Sequence, residues 1–90
     1  MGNKKYELEK TRHRYGPGSD TKFTTIAESD NYQELIEKAK AIKIRFGKTF
    51  HEQLHINVWD EDHIDIVEVI PLRDSLDEHM EKTGKKWYEI

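Results

Sequence analysis

The sequence predicts an α+β domain, a small antiparallel sheet of two β-hairpins packed on one long helix in the order β-β-α-β-β-α. Three observations predict it: two short alternating segments around a Gly/Pro turn, a helical apolar stripe, and a return to two-residue alternation afterwards. Tyr6 to Arg14 and Lys22 to Ala27 alternate weakly and flank Tyr15-Gly16-Pro17-Gly18-Ser19-Asp20, which reads as the first hairpin. Tyr32, Leu35, Ile36, Ala39, Ile42 and Phe46 then fall on one side of a helix, with Gln33, Glu34, Glu37, Lys38 and Lys40 on the other. Asp30 is expected to cap this helix, with Gln33 reaching back, and Gly47 to stop it.

From there Leu54, Ile56 and Val58 alternate with Gln53, His55, Asn57 and Trp59, the pattern of a half-buried strand. Asp60-Glu61-Asp62 turns the chain into His63–Ile70, whose evenly apolar run predicts a more central strand that Pro71 ends. Asp74 or Ser75 begins a shorter helix carrying Leu72, Leu76 and Met80 on one side, and Gly84 ends it. Residues 85–90 are expected as a loose tail or an edge strand, and residues 1–90 as a single domain. The expected core is Phe23, Ile26, Leu35, Ile36, Ala39, Ile42, Phe46, Leu54, Ile56, Val58, Ile64, Ile66, Val67 and Val69.

Composition bounds the function. With 34 % apolar and 37 % charged residues, a 90-residue chain can build only a small core, so a partner or a second copy would help to stabilise it. There is no cysteine, which removes disulfides and thiolate zinc cages and suits a reducing cytosol. No apolar run is long enough to span a membrane, and Met1-Gly2 lacks the Ser or Thr at position 6 that a myristoylation signal asks for. A soluble, unprocessed, cytoplasmic protein is expected.

One motif names a chemistry. His51-Glu52-Gln53-Leu54-His55 spells H-E-x-x-H, in which two His one helical turn apart hold zinc and the Glu activates water. The alternation at 54–58 argues for a strand, where residues four apart start about 13 Å from each other. The third histidine of the extended motif is replaced by Glu61. His51 and His55 therefore stand as metal candidates of a third-ranked reading, a minimal zinc-dependent hydrolase, and no cofactor is expected. Asp60, Glu61, Asp62, His63 and Asp65 offer hard ligands, but without the Gly and Glu spacing of a calcium loop they read as a solvated turn.

Charge is distributed unevenly. Residues 1–27 sum to +3, 28–48 to +1, 49–70 to -6 and 71–90 to -1, within a total of -3. The acidic second hairpin, with Trp59, Asp60, Glu61, Asp62 and Asp65, and the aromatic Trp87 and Tyr88, are expected to bind a macromolecule. A protein is the expected partner, with a homodimer through a sheet edge as one form of it. A non-enzymatic accessory or inhibitor protein of a phage or mobile element would suit this size and charge by analogy. The alternative is nucleic-acid binding through Lys4, Lys5, Lys10, Arg12, Arg14 and Lys22 beside Tyr6, Tyr15 and Phe23.

Overall fold

The computed structural model describes residues 4–84. Their elements are β1 (Tyr6–Arg14), β2 (Thr21–Ser29), α1 (Tyr32–Ala41), β3 (Phe46–Gly47), β4 (Phe50–Trp59), β5 (Ile66–Asp74) and α2 (Ser75–Thr83). All pairings are antiparallel, in the order β2-β1-β4, with both β3 and β5 on the far side of β4. The α+β class and the small antiparallel sheet are as expected. A two-residue strand is added before β4, and the long helix is ten residues.

The first hairpin closes as its turn residues require: Gly16 and Gly18 take positive φ, and Ser19 N–H donates to the Gly16 carbonyl at 2.9 Å. The predicted helix overran because Ile42 and Phe46 keep the i, i+4 spacing. The chain instead leaves the helix at Ile42, whose backbone is extended. Arg73 from β5 satisfies the helix end, its Nη1 donating to the Ala39 and Ile42 carbonyls at 2.8 and 2.5 Å. Gly47 is therefore no helix stop; it sits in β3, where a Cβ would come within 2.9 Å of the Phe50 ring. Asn31, not Asp30, is the N-cap and accepts from Glu34 N–H at 3.3 Å. Asp30 accepts from Lys5 N–H at 2.9 Å, tying the start of β1 to the end of β2. Gln33 reaches forward to Glu37 rather than back to the cap. The second helix follows its sequence, with Asp74 capping Leu76 N–H at 2.9 Å and Gly84 closing it at φ 71°.

The core lies where α1 crosses one face of the sheet: Leu8, Leu35, Ala39, Leu54 and Ile56, with Tyr6, Ile36, Ile42, Ile44, Ile70 and Leu72 packed around it. Leu8 was missed, because Tyr6-Glu7-Leu8-Glu9 offers too short an alternation to stand out. Six expected core residues are instead exposed: Phe23, Ile26, Ile64, Ile66, Val67 and Val69. Ile26 falls at the register shift between Leu8 and Glu9, and Phe23 points from the face that α1 does not cover. The others belong to β5 or its approach. β5 was expected as a central strand ended by Pro71; it is an outer strand that runs through Pro71 to Asp74. Proline is tolerated there because it pairs with His55 beside a register shift, where the ladder is already interrupted.

Candidate functional site

Three surfaces carry the residues that the sequence singled out. The first is the end of the sheet where β4 turns into β5. Asp60 organises the turn: its carboxylate accepts from Ile64 N–H at 2.8 Å, its carbonyl from His63 N–H at 3.0 Å, and its own N–H donates to Asp65. His63 adopts φ 57°, an uncommon conformation for a residue with a Cβ, and stacks on Trp59 with ring centroids 4.3 Å apart. Trp59 is thus half-buried against its own turn, while Glu61, Asp62 and Asp65 stay exposed. The acidic hairpin has cations from elsewhere in the chain beside it. Lys4 and Lys5 face Trp59, Asp60, Glu61 and Asp62 across a cavity of about 370 Å³. Trp87 and Tyr88 lie outside the described residues.

Along this hairpin runs the edge of β5. Among the described residues no strand pairs with its outer side. Ile64, Ile66, Val67 and Val69 are 70, 43, 64 and 55 % exposed. Natural edges are usually guarded by lysine, a strong twist or a cover. Here Glu68 is the one charge among residues 66–70, and Pro71 blocks extension past its position.

The second surface is the sheet face opposite α1. Register places Glu7 against Asn57, Glu9 against His55, Thr11 against Gln53 and His13 against His51. These side chains bond to one another. Asn57 Nδ2 donates to Glu7 at 3.1 Å and to Glu9 at 3.0 Å, and His55 Nε2 meets Glu9 at 2.7 Å. Thr25 donates to Glu7 at 2.5 Å, His13 Nε2 meets Gln53 at 2.8 Å, and Gln53 donates to Asp74 at 2.6 Å. His51 stacks between His13 and Tyr15 and hydrogen-bonds the Tyr15 hydroxyl. Burial alone would push the Glu7 carboxyl up, but hydrogen bonds from Thr25 and Asn57 outweigh it and hold it below the usual carboxylate value. Burial, helped by the charge of His13, pushes His51 down against the opposing pull of Asp74 and Asp77.

H-E-x-x-H therefore lies on a strand. His51 and His55 share the open face two pleats apart, each engaged with different neighbours, while Glu52 points to the opposite face. The helix that the zinc motif requires is absent from this segment. Among the described residues no three His, Asp or Glu side chains gather as a metal site would need.

No protein-family model, curated protein or solved structure matches this chain.

The third surface surrounds Glu52, on the α1 side of the sheet near the tip of the first hairpin. Glu52 is 1 % exposed and fully partnered. Arg12 donates to Oε2 from Nε at 3.0 Å and Nη2 at 2.8 Å, Arg45 N–H donates to Oε1 at 2.8 Å, and Lys10 Nζ lies 3.7 Å away. Burial would raise this carboxyl, but those donors and cations hold it below its usual value. Glu52 is one of the acids behind the -6 of residues 49–70, yet it is buried beneath basic groups.

The six predicted nucleic-acid contacts divide accordingly. Lys10, Arg12 and Arg14 alternate along β1 onto one face, and Lys22 stands opposite Arg12 on β2. Lys4 and Lys5 are at the other end of the strand, where Lys4 pairs with Asp30 at 3.7 Å. The sequence could list the cations but not which shared a face, since that depends on the register between β1, β2 and β4.

Proposed function

We propose that this chain is a non-enzymatic protein-binding domain that takes up a partner strand along β5, the partner being a second copy of itself. The observation that carries this reading is the apolar edge, unguarded among the described residues: four large aliphatic side chains are exposed along and just before one strand, where the described residues bury only six apolar ones. Strand addition would supply main-chain hydrogen bonds, and the exposed valines and isoleucines would add apolar contact. Antiparallel pairing of β5 with its own copy is two-fold symmetric and reverses the strand axis. It would therefore hold the two acidic turns at opposite ends of the joint sheet rather than side by side. The turn residues Glu61, Asp62 and Asp65 then act by excluding parallel or end-to-end arrangements through repulsion. A reducing, cytoplasmic setting agrees with the absence of cysteine. Among the described residues no helix is long and apolar enough to cross a membrane.

Sedimentation velocity over a concentration series tests the reading. The expected result is a dimer that dissociates on dilution, and that becomes a monomer at every concentration in the Val67→Lys/Val69→Lys variant. Lysine on an exposed edge leaves the fold intact and blocks pairing. A wild-type chain that stays monomeric throughout, or a double variant that dimerises as well as wild type, overturns it.

A further inference from the structure

The cations around Glu52 are not explained by folding or by protein binding at β5. Lysine on an edge strand commonly guards against aggregation, and Lys22 on β2 can be read that way. Lys10, Arg12 and Arg14 cannot, because β1 is paired on both sides, with β2 and with β4. Nor does neutralising Glu52 account for the number. One carboxylate is served by Arg12 and by Lys10, whereas Arg14 and Lys22 have no ion pair among the described residues. Lys10, Arg12, Lys22 and Thr24 wall a recess of about 110 Å³ with the buried Glu52 at its floor.

We propose that this recess and the adjoining Arg14 bind the phosphodiester backbone of a single-stranded nucleic acid. The groups are pre-positioned. Arg12 is held by two hydrogen bonds to Glu52 and by its place over the Phe50 ring, 5.1 Å from the centroid. An arginine already oriented loses less freedom on meeting a phosphate than one swinging in solvent. Cations two residues apart on a strand stand about 6.6 Å from each other, a regular file suited to a chain of phosphates rather than to one isolated anion. Tyr15 stacks on His51 on the opposite face, so the contact made by this file is to the phosphate backbone and not to the bases. A single strand fits better than a duplex because its flexible backbone can bend into a recess of about 110 Å³, whereas a duplex is stiff over many base pairs.

The chain's net charge of -3 does not oppose this. The exposed acids of the β4–β5 turn sit at the far end of the ten-residue β4. That is about 30 Å away at strand rise, against a screening length of about 8 Å at physiological salt.

Fluorescence anisotropy of labelled oligo(dT) and oligo(U) across a salt series tests the proposal. With about four phosphates engaged, the log–log salt slope should be about -2.8, so affinity should fall about fifty-fold between about 50 and 200 mM salt. Arg14→Glu/Lys22→Glu should lose at least tenfold in affinity and about half of that slope, with an unchanged melting temperature. Val67→Lys/Val69→Lys should bind as wild type, which separates this site from the β5 edge. Absence of binding at the lowest salt, a charge-reversed variant that binds undiminished, or inorganic polyphosphate competing as well as an oligonucleotide of equal charge would each overturn it.

Discussion

On one face of β4, Leu54, Ile56 and Val58 are buried beneath or beside α1; on the other, Gln53, His55 and Asn57 are covered by no helix among the described residues, and yet Asn57 is only 2 % exposed. The same strand thus buries alternate residues by two means. Toward α1, apolar area is removed from water and the gain is non-directional. On the open face, carboxylates, amides and imidazoles from β1, β2, β4 and β5 shield one another, and the gain depends on each donor finding its acceptor. A polar alternation in this chain therefore does not mark a wet surface. The difference also separates the parts of the molecule that hold the fold from those left over for partners, namely the β5 edge and the cations beside Glu52.

The largest loss is expected on the apolar side. Leu54→Ala removes a fully buried side chain from the cluster that includes Leu8 and Leu35, and should cost about 3 kcal/mol in urea unfolding. That is a large share of the stability of so small a domain. Asn57→Ala should cost less, about 2 kcal/mol, by withdrawing two hydrogen bonds from the Glu7 and Glu9 carboxylates. Were the open face merely solvated, the loss would be near zero. If both variants cost the same, the distinction between the two faces would lose its energetic meaning.

Acid should weaken the open face first. His51 has a folded pKa below its ordinary 6.5, so the unfolded chain takes up that proton more readily. Its contribution is fully present above pH 6.5 and is lost as pH falls through the lowered folded value. Glu7 and Glu52 add the same sign lower down: both are held below 4.5, so their contribution is present above that value and lost as pH falls through their folded values. Thermal melts should show a first decline in melting temperature below about pH 6.5 that is absent in His51→Asn. A second and larger decline below about pH 4.5 should be reduced in Glu7→Gln. The smallest expected effect is at the β5 edge, where Val69→Thr should change monomer stability by less than about 0.5 kcal/mol because the side chain is already exposed.

Much of the architecture was legible in the sequence because its periods are clean. The Leu54, Ile56, Val58 alternation gave β4, the stripe from Tyr32 to Ala39 gave α1, and Asp74 and Gly84 bracketed α2. What could not be read depends on residues far apart in the chain. The early end of α1 is met by Arg73, more than thirty positions away. The buried Glu7, Glu52 and Asn57 look wet to any pattern that scores polarity, since only register brings Arg12 to Glu52 and Asn57 to Glu7. The run His63–Ile70 misled for the opposite reason: evenly apolar strands are normally central, and this one is apolar at an edge. H-E-x-x-H was legible as letters, and its strand setting as an alternation, but the separate partners of His51 and His55 were not.

The β5 edge is where a second copy would pair. Amide hydrogen exchange along Ile66–Ile70, followed at low and high protein concentration, examines it directly. Protection of alternate β5 amides, those not already bonded to β4, should rise with concentration in the wild type and not in Val67→Lys/Val69→Lys, while β1 and β4 stay equally protected at both concentrations. Outward-facing β5 amides that exchange at one rate whatever the concentration would contradict it.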